Sequence, residues 1–224
     1  MTFPCGGGAG SAREGEPASP PGRGAAGADR ETLAFYDANA AGYAAKSHLD
    51  AYRAHLDRFA AGLPPGGAVL DLGCGDGWAA GALAAMGFDV LGLDASAGLL
   101  AIAAMRPGVR TRHAVFEDVR ESVAYDGVWA SFSLLHAPHD AFPGHLARIA
   151  RALRHGGRLY VGLKEGRGER RDALGRRYAY FEAGEVARHL AEAGFERPEI
   201  VREPGTGLAN DCTHFLHCHT RRAP

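Results

Sequence analysis

The chain has 224 residues, 46% of them hydrophobic, and a formal net charge of −1. That length holds one domain with a real core, and the near-neutral balance supplies no field that would draw in nucleic acid or an anionic membrane. No apolar run approaches the roughly 20 residues that span a bilayer, and Met1 to Ala28 lacks the continuous apolar stretch of a secretory signal.

Met1 to Ala28 is rich in Gly, Ala, Pro and Ser and reads as a disordered tail ahead of a domain at 29–222. The four cysteines, Cys5, Cys74, Cys212 and Cys218, lack the paired spacing of a zinc site. Nothing points to an oxidising compartment, so a soluble cytoplasmic protein with reduced thiols is expected. Glu31 to His48 is Ala-rich and permits a helix; Leu49, Tyr52, Leu56 and Phe59 recur at helical spacing and give a second one, ending near Gly62-Leu63-Pro64-Pro65.

The next stretch, Ala68 to Ser96, organises the rest. Val69, Leu70 and Leu72 form a short apolar run that ends in Gly73, Gly75 and Gly77; Ala79 to Met86 reads as a helix stopped by Gly87; Val90, Leu91 and Leu93 form a second run closing on Asp94. Strand, glycine turn, helix, strand and terminal acid make a βαβ unit suited to a nucleoside. Glycines allow a tight turn and a close approach to ligand, and the helix presents its N-terminus to the site. A carboxylate at the end of the second strand can accept from both ribose hydroxyls. The dinucleotide fingerprint G-x-G-x-x-G/A fails at its last glycine, where Trp78 is too large for close helix–strand packing. That argues against an NAD(P)-binding oxidoreductase, which is retained as a weaker alternative.

Ser96 caps a helix running to Met105, and Val109 to Val115 reads as the third strand. Tyr125 to Ser131 is the fourth strand, ending in Phe132-Ser133-Leu134-Leu135-His136. Leu146, Ile149, Ala150 and Leu153 form the stripe of another helix, and Arg158 to Lys164 is the fifth strand. Gly166 to Phe181 is the longest polar insertion. Its arginines and aromatics suit a planar or anionic small acceptor, or else form a solvated loop. Glu185 to Ala193 is a last helix, and Glu196 to Arg202 and Asp211 to Thr220 are two strands of an antiparallel hairpin.

Asp71 to Gly77, D-L-G-C-G-D-G, resembles motif I of the class I S-adenosylmethionine (SAM) methyltransferases. Phe35 to Tyr43, F-Y-D-x-N-A-x-x-Y, is similar to the segment that folds over the SAM site as a lid in small-molecule methyltransferases; 29–63 would be that lid, or Tyr36 and Tyr43 are packing aromatics. The flavour is that of the tellurite-resistance-type group, a label that defines fold and cofactor rather than substrate. The resemblance implies a Rossmann-like three-layer sandwich with a seven-stranded, mostly parallel sheet and an antiparallel C-terminal strand. It implies transfer of a methyl group from SAM to a small-molecule acceptor, without nucleic acid or membrane; a catalytically silent SAM-binding module would share these motifs.

By the same resemblance Gly73, Gly75 and the backbone of Cys74 cradle the methionine moiety, while Asp71 supports the turn or the amino group. Asp94, with Ala95 beside it, holds the ribose. Asp118 or the Phe116–Glu117 backbone reads the adenine amine, with Asp118 favoured; Ser131 and Phe132 line the transfer site. His136 is the candidate general base, or else an orienting residue.

No metal is expected. His136, His139 and His145 are not convergent around Pro138 and Pro143. In the C-terminal run a strand sends Cys212, His214 and Cys218 to one face and His217 and His219 to the other.

Overall fold

The structure, a computed structural model, describes residues 27–45, 50–209 and 212–224. The expected tail at Met1 to Ala28 lies outside these except for Gly27 and Ala28, as do the end of the first expected helix and Asp211. Helices α1 (Arg30–Ala44) and α2 (Asp50–Ala60) come first. Then follow β1 (Ala68–Leu72), α3 (Trp78–Ala85), β2 (Asp89–Asp94), α4 (Ala97–Ala103), β3 (Val109–His113) and β4 (Tyr125–Ser131). The second half contains α5 (Phe142–Ala152), β5 (Leu153–Lys164), β6 (Glu169–Arg171), β7 (Arg177–Ala179), α6 (Ala183–Glu192), β8 (Glu199–Thr206) and β9 (Cys212–Arg221).

Seven strands form one sheet in the order β3-β2-β1-β4-β5-β9-β8. Neighbours are parallel up to β5, and β9 runs antiparallel between β5 and β8. The strand order reverses beside β1, so the carboxyl ends of β1, β2 and β4 open the crevice in which ligands of such sheets collect.

Alternation along the strands divides the core. Val69, Val90, Trp129 and Tyr160 pack with Leu56 and Phe59 of α2 and Leu83 of α3. Their neighbours Leu70, Leu72, Val128, Leu159 and Val161 pack with Leu146 and Ile149 of α5 and Val186 and Leu190 of α6. Both faces are covered, which explains why the strands read as continuous apolar runs.

Several boundaries differ from the sequence expectation; β5, for one, takes in Leu153, which was expected on the helix before it. β3 ends at His113: the Ala114 N–H makes the last ladder bond, to the Asp94 carbonyl at 3.0 Å, and Phe116–Asp118 then coils into a 3₁₀ turn. The Gly166 to Phe181 insertion is an antiparallel hairpin, β6 against β7, and not an open loop. Pro204 and Gly205, read as turn residues, lie inside β8. This strand is an edge of the sheet, where a missing N–H is tolerated, and the bare Gly205 admits the Phe215 ring. Among the described residues no helix is long and apolar enough to cross a membrane.

Candidate active site

The glycine turn after β1 is fixed by backbone bonds. Gly73 and Gly75 have φ of +74° and +56°, conformations that side-chain-bearing residues adopt at a penalty. A Cβ on Gly73 would fall 2.3 Å from that of Ser133. The Gly73 and Cys74 N–H groups both donate to the Leu93 carbonyl, at 2.7 and 3.0 Å, and the Cys74 carbonyl accepts from Gly77. The Cys74 N–H is therefore taken up by β2, while the residue still lines the second of two adjoining cavities. Its side chain packs with Leu100 and Ala103, and burial pushes the thiol far above its ordinary pKa.

Asp94 is clasped from two sides. Its carboxylate oxygens accept from Gly75 N–H and Ser96 N–H, each at 2.8 Å, which leaves a second lone pair on each oxygen. Burial raises its pKa against the pull of those donors. Asp94 and Ala95 line one cavity with Leu99, Phe116 and Glu117.

Asp71 sits beneath the turn, 2% exposed. It accepts from the Ala80 N–H in the first turn of α3, but its Oδ2 has no hydrogen-bond partner among the described residues. Burial pushes its carboxyl up to about 8, with Asp94 and Asp76 adding to the rise. Asp71 lines a second cavity, so an ammonium group bound there would supply the absent donor.

The 3₁₀ turn at Phe116–Asp118 places the two neighbouring acids differently. Asp118 folds back to accept from the Val115 N–H at 3.4 Å and lies 3.9 Å from Arg120; it is absent from the cavity wall, whereas Phe116 and Glu117 are part of it. Three residues per turn point side chains in three directions, which separates Glu117 from Asp118.

Tyr36, Tyr43, Gly75, Ser131, Phe132 and His136 border both cavities, which therefore meet at the carboxyl end of β4. Phe132 has a φ of +53°, rare for a side chain of its size and a strain that persists where the surroundings enforce it. Its N–H donates to the Gly162 carbonyl at 3.0 Å, and its ring packs on Tyr52 and Phe215 at 5.1 and 4.9 Å. Ser131 hydrogen-bonds to Tyr160.

His136 lies on the 3₁₀ turn that follows. Its Nδ1 is 2.7 Å from the Arg177 carbonyl and its Nε2 3.0 Å from the Tyr36 hydroxyl. Burial lowers its pKa to about 4, with the nearby Arg176 and Lys164 charges helping. Sequence reasoning missed the cations at this end. Lys164 and Arg176 are 3% and 1% exposed, and Lys164 Nζ stands 4.1 Å from the centre of the Tyr178 ring. Arg176 pairs with Asp172 at 2.5 Å and donates to the Tyr36 hydroxyl at 3.1 Å. The Arg/aromatic character of the insertion was visible in sequence, but not which arginine turns inward.

Helix α1 borders the two cavities and is tied at its start and at its middle. Asp37 Oδ1 accepts from Ser96 Oγ at 2.6 Å and Gly98 N–H at 3.0 Å, across the start of α4. Asp29 caps α1 and receives both terminal nitrogens of Arg171, each at 2.8 Å. His139 and His145 diverge from His136, stacking on Phe181 and edging onto Phe116 respectively.

A family model described as a methyltransferase domain matches residues 69–157, the span from β1 into β5. No curated protein matches the chain by sequence. Among solved structures, the 1,6-didemethyltoxoflavin-N1-methyltransferase of Burkholderia thailandensis, with bound 1,6-didemethyltoxoflavin and S-adenosylhomocysteine, is 22% identical with a TM-score of 0.64, covering 94% of each chain. The DhpI complex with S-adenosylhomocysteine is 23% identical with a TM-score of 0.65, covering 87% of this chain and 96% of the other. The [4+2]-cyclase SpnF is 21% identical with a TM-score of 0.60, over 78% and 82%. The methyltransferase-domain match thus takes in the glycine turn and Asp94, and the fold is shared across nearly the whole length with the Burkholderia methyltransferase.

Proposed function

We propose that the cavity at Asp94 holds SAM, that the adjoining cavity holds a small, planar, electron-rich or anionic acceptor, and that transfer occurs where they meet, at Ser131, Phe132 and His136. When bound, SAM supplies a methyl group already activated on a sulfonium sulfur. The chain's task is then to align the acceptor atom and exclude water. Asp94 grips the ribose edge, Asp71 takes the amino group, Glu117 and Phe116 face the adenine, and the Gly73–Gly75 bend leaves room for the methionine moiety. Domain 29–222 works as one unit, with helices α1 and α2 as its lid; Asp37 and Asp29 anchor the first of these.

The observation that carries the acceptor class is the make-up of the second cavity's wall. Lys164 and Arg176 bring positive charge, while Tyr178, Phe215 and Tyr52 offer flat apolar faces. Such walls favour a ring that stacks and carries negative charge or lone pairs. The planar heterocycle named for the Burkholderia structure has this character, at similar fold but low identity. A cytoplasmic location fits the two described cysteines, Cys74 and Cys218, which are free and buried; cell fractionation tests it.

The test is a methyl-transfer screen with labelled SAM over planar N-heterocycles, phenols and aromatic carboxylates, with aliphatic amines and thiols as contrast. Turnover confined to the planar group supports the reading. Turnover only on aliphatic acceptors overturns the acceptor class, and tight SAM binding without any turnover would favour a silent regulatory module.

A further inference from the structure

A second cluster of ligand-type side chains lies outside the methyl-transfer site, on the sheet face covered by α2. Strand β9 sends His217 and His219 to this face and Cys218 to the opposite core. His55 of α2 meets them: its ring stacks on His217 with centres 4.0 Å apart and planes 6° from parallel. Both imidazoles are engaged through Nδ1. His55 Nδ1 lies 3.0 Å from His219 Nε2, and His217 Nδ1 lies 2.8 Å from the Tyr160 hydroxyl. Both Nε2 atoms face one carboxylate, that of Glu203 on β8, at 3.4 Å for His55 and 3.6 Å for His217. The three ligand atoms all lie within 4.8 Å of one another. His217 is 0% exposed, and its Nε2 has no hydrogen-bond partner among the described residues.

We propose that His55, His217 and Glu203 form a site for one divalent transition-metal ion, zinc by preference, which clips α2 to the β8–β9 hairpin. Two imidazole nitrogens and one carboxylate are the donors that zinc and its transition-metal neighbours take, whereas magnesium and calcium want oxygen alone. The second layer of the site is already built. With His55 and His217 donating from Nδ1 to His219 and Tyr160, both Nε2 lone pairs are free for an ion, and such outer partners fix tautomer and ring orientation. Glu203 is half-exposed on an edge strand, so an ion can reach the buried histidines from solvent. Binding at the usual zinc–nitrogen distance of about 2.0–2.1 Å requires the rings to tilt out of their parallel stack. Sequence spacing gives no hint of this set, because its residues come from α2, β8 and β9.

The test uses the full chain, freed of metal by chelation and of any affinity tag by cleavage. Zinc chloride is titrated calorimetrically, and cobalt(II) is followed by its visible absorption. The expected result is one equivalent per chain, with cobalt bands of a low-coordinate site and a higher Tm with zinc. E203Q and H217Q should each weaken binding at least tenfold and abolish the zinc-dependent Tm rise. Y160F should weaken it by about tenfold, the lower end of the range for outer partners. E203Q lies on the exposed edge, and its circular dichroism spectrum shows whether it folds. H139Q, which removes a histidine paired with Glu185 on the other sheet face, should bind zinc like the parent. No zinc uptake by the parent, or uptake unchanged in E203Q and H217Q, overturns the proposal.

Discussion

The Tyr36 hydroxyl stands 3.0 Å from His136 Nε2, while His136 Nδ1 faces the Arg177 carbonyl at 2.7 Å. A carbonyl only accepts, so Nδ1 carries the ring proton and Nε2 accepts from Tyr36 O–H. Arg176 donates to the same phenolic oxygen from its other side. The result is a neutral imidazole of fixed tautomer that aims a tyrosine hydroxyl at the junction of the two cavities. With its pKa lowered to about 4, His136 is a weak base at neutral pH, and its first role is to orient Tyr36.

Y36F and H136A should therefore each lower kcat by about 10- to 100-fold, below the usual ceiling for proton-transfer catalysis, with SAM affinity nearly unchanged. Their effects should not add in the double variant, because one hydrogen bond joins them. The fold holds His136 below its ordinary pKa, so its contribution to stability is present above about pH 6.5 and is lost as pH falls through that value toward 4. Across pH 6–8 kcat should show no inflection from His136. An inflection near pH 6.5 that vanishes in H136A would reject this assignment and restore the general-base role.

Asp94 has two duties that substitution separates. It braces the turn through Gly75 and Ser96, and it presents its remaining lone pairs to the cavity. D94N keeps one acceptor and should weaken S-adenosylhomocysteine binding by about tenfold; D94A should weaken it by 100-fold or more, at roughly 1.5–3 kcal/mol per charge-assisted bond. D94A should also lower Tm, since two buried N–H groups lose their partner. Calorimetry decides: unchanged affinity with a lowered Tm would make Asp94 a brace and nothing more.

Asp71 gives a pH signature. Its carboxyl titrates near 8 in the fold, above its ordinary value of 3.8, because burial disfavours the charged form. Between those values the native state keeps a proton that the unfolded chain has lost, so stability falls as pH rises through this window and the loss is complete above about pH 8. D71N, neutral throughout, should flatten this slope and raise Tm at pH 8 in the ligand-free protein. A cationic amino group beside Asp71 should draw off its proton. Binding S-adenosylhomocysteine at pH 7 should then release protons, seen as a buffer-dependent heat that D71N lacks. Buffer-independent heats in the parent would show that no such cation meets Asp71.

Much of this site was legible because it is local. The strand–glycine–helix–strand–acid order lies within Ala68 to Ser96, and glycine at 73 and 75 permits the positive φ found there. The sheet was legible for a related reason: both faces of β1, β4 and the second half of β5 are buried, so each reads as a mostly apolar run. What escaped the sequence depends on long-range meetings or on local geometry with no compositional mark. Arg176 reaches Tyr36 across 140 residues, and nothing distinguishes it in sequence from Arg170 or Arg171. Phe132 adopts a glycine-like φ because the Gly162 carbonyl and the Tyr52 and Phe215 rings hold it there. Cys74 sits at a ligand-facing position of the motif, yet its N–H is taken by the Leu93 carbonyl of β2.

The choice between Glu117 and Asp118 is the sharpest test of the adenine end. Asp118 caps the Val115 N–H on the far side of the 3₁₀ turn, whereas Glu117 lines the cavity, with its Oε1 3.8 Å from His145 Nε2. An exocyclic amine needs an acceptor, and a carboxylate supplies one where an amide can turn either way. E117A should weaken adenosyl ligands by about tenfold, the worth of one hydrogen bond to a charged group at partial exposure. D118N should leave affinity within about twofold, because the Asn side-chain oxygen can still accept from Val115. The deaminated inosyl analogue of S-adenosylhomocysteine replaces the amine with a carbonyl, which Glu117 repels. The parent should therefore reject it, and E117Q should recover much of its binding. If D118N instead relaxes this discrimination while E117Q keeps it, the adenine reader is Asp118 and the turn must rearrange when ligand binds.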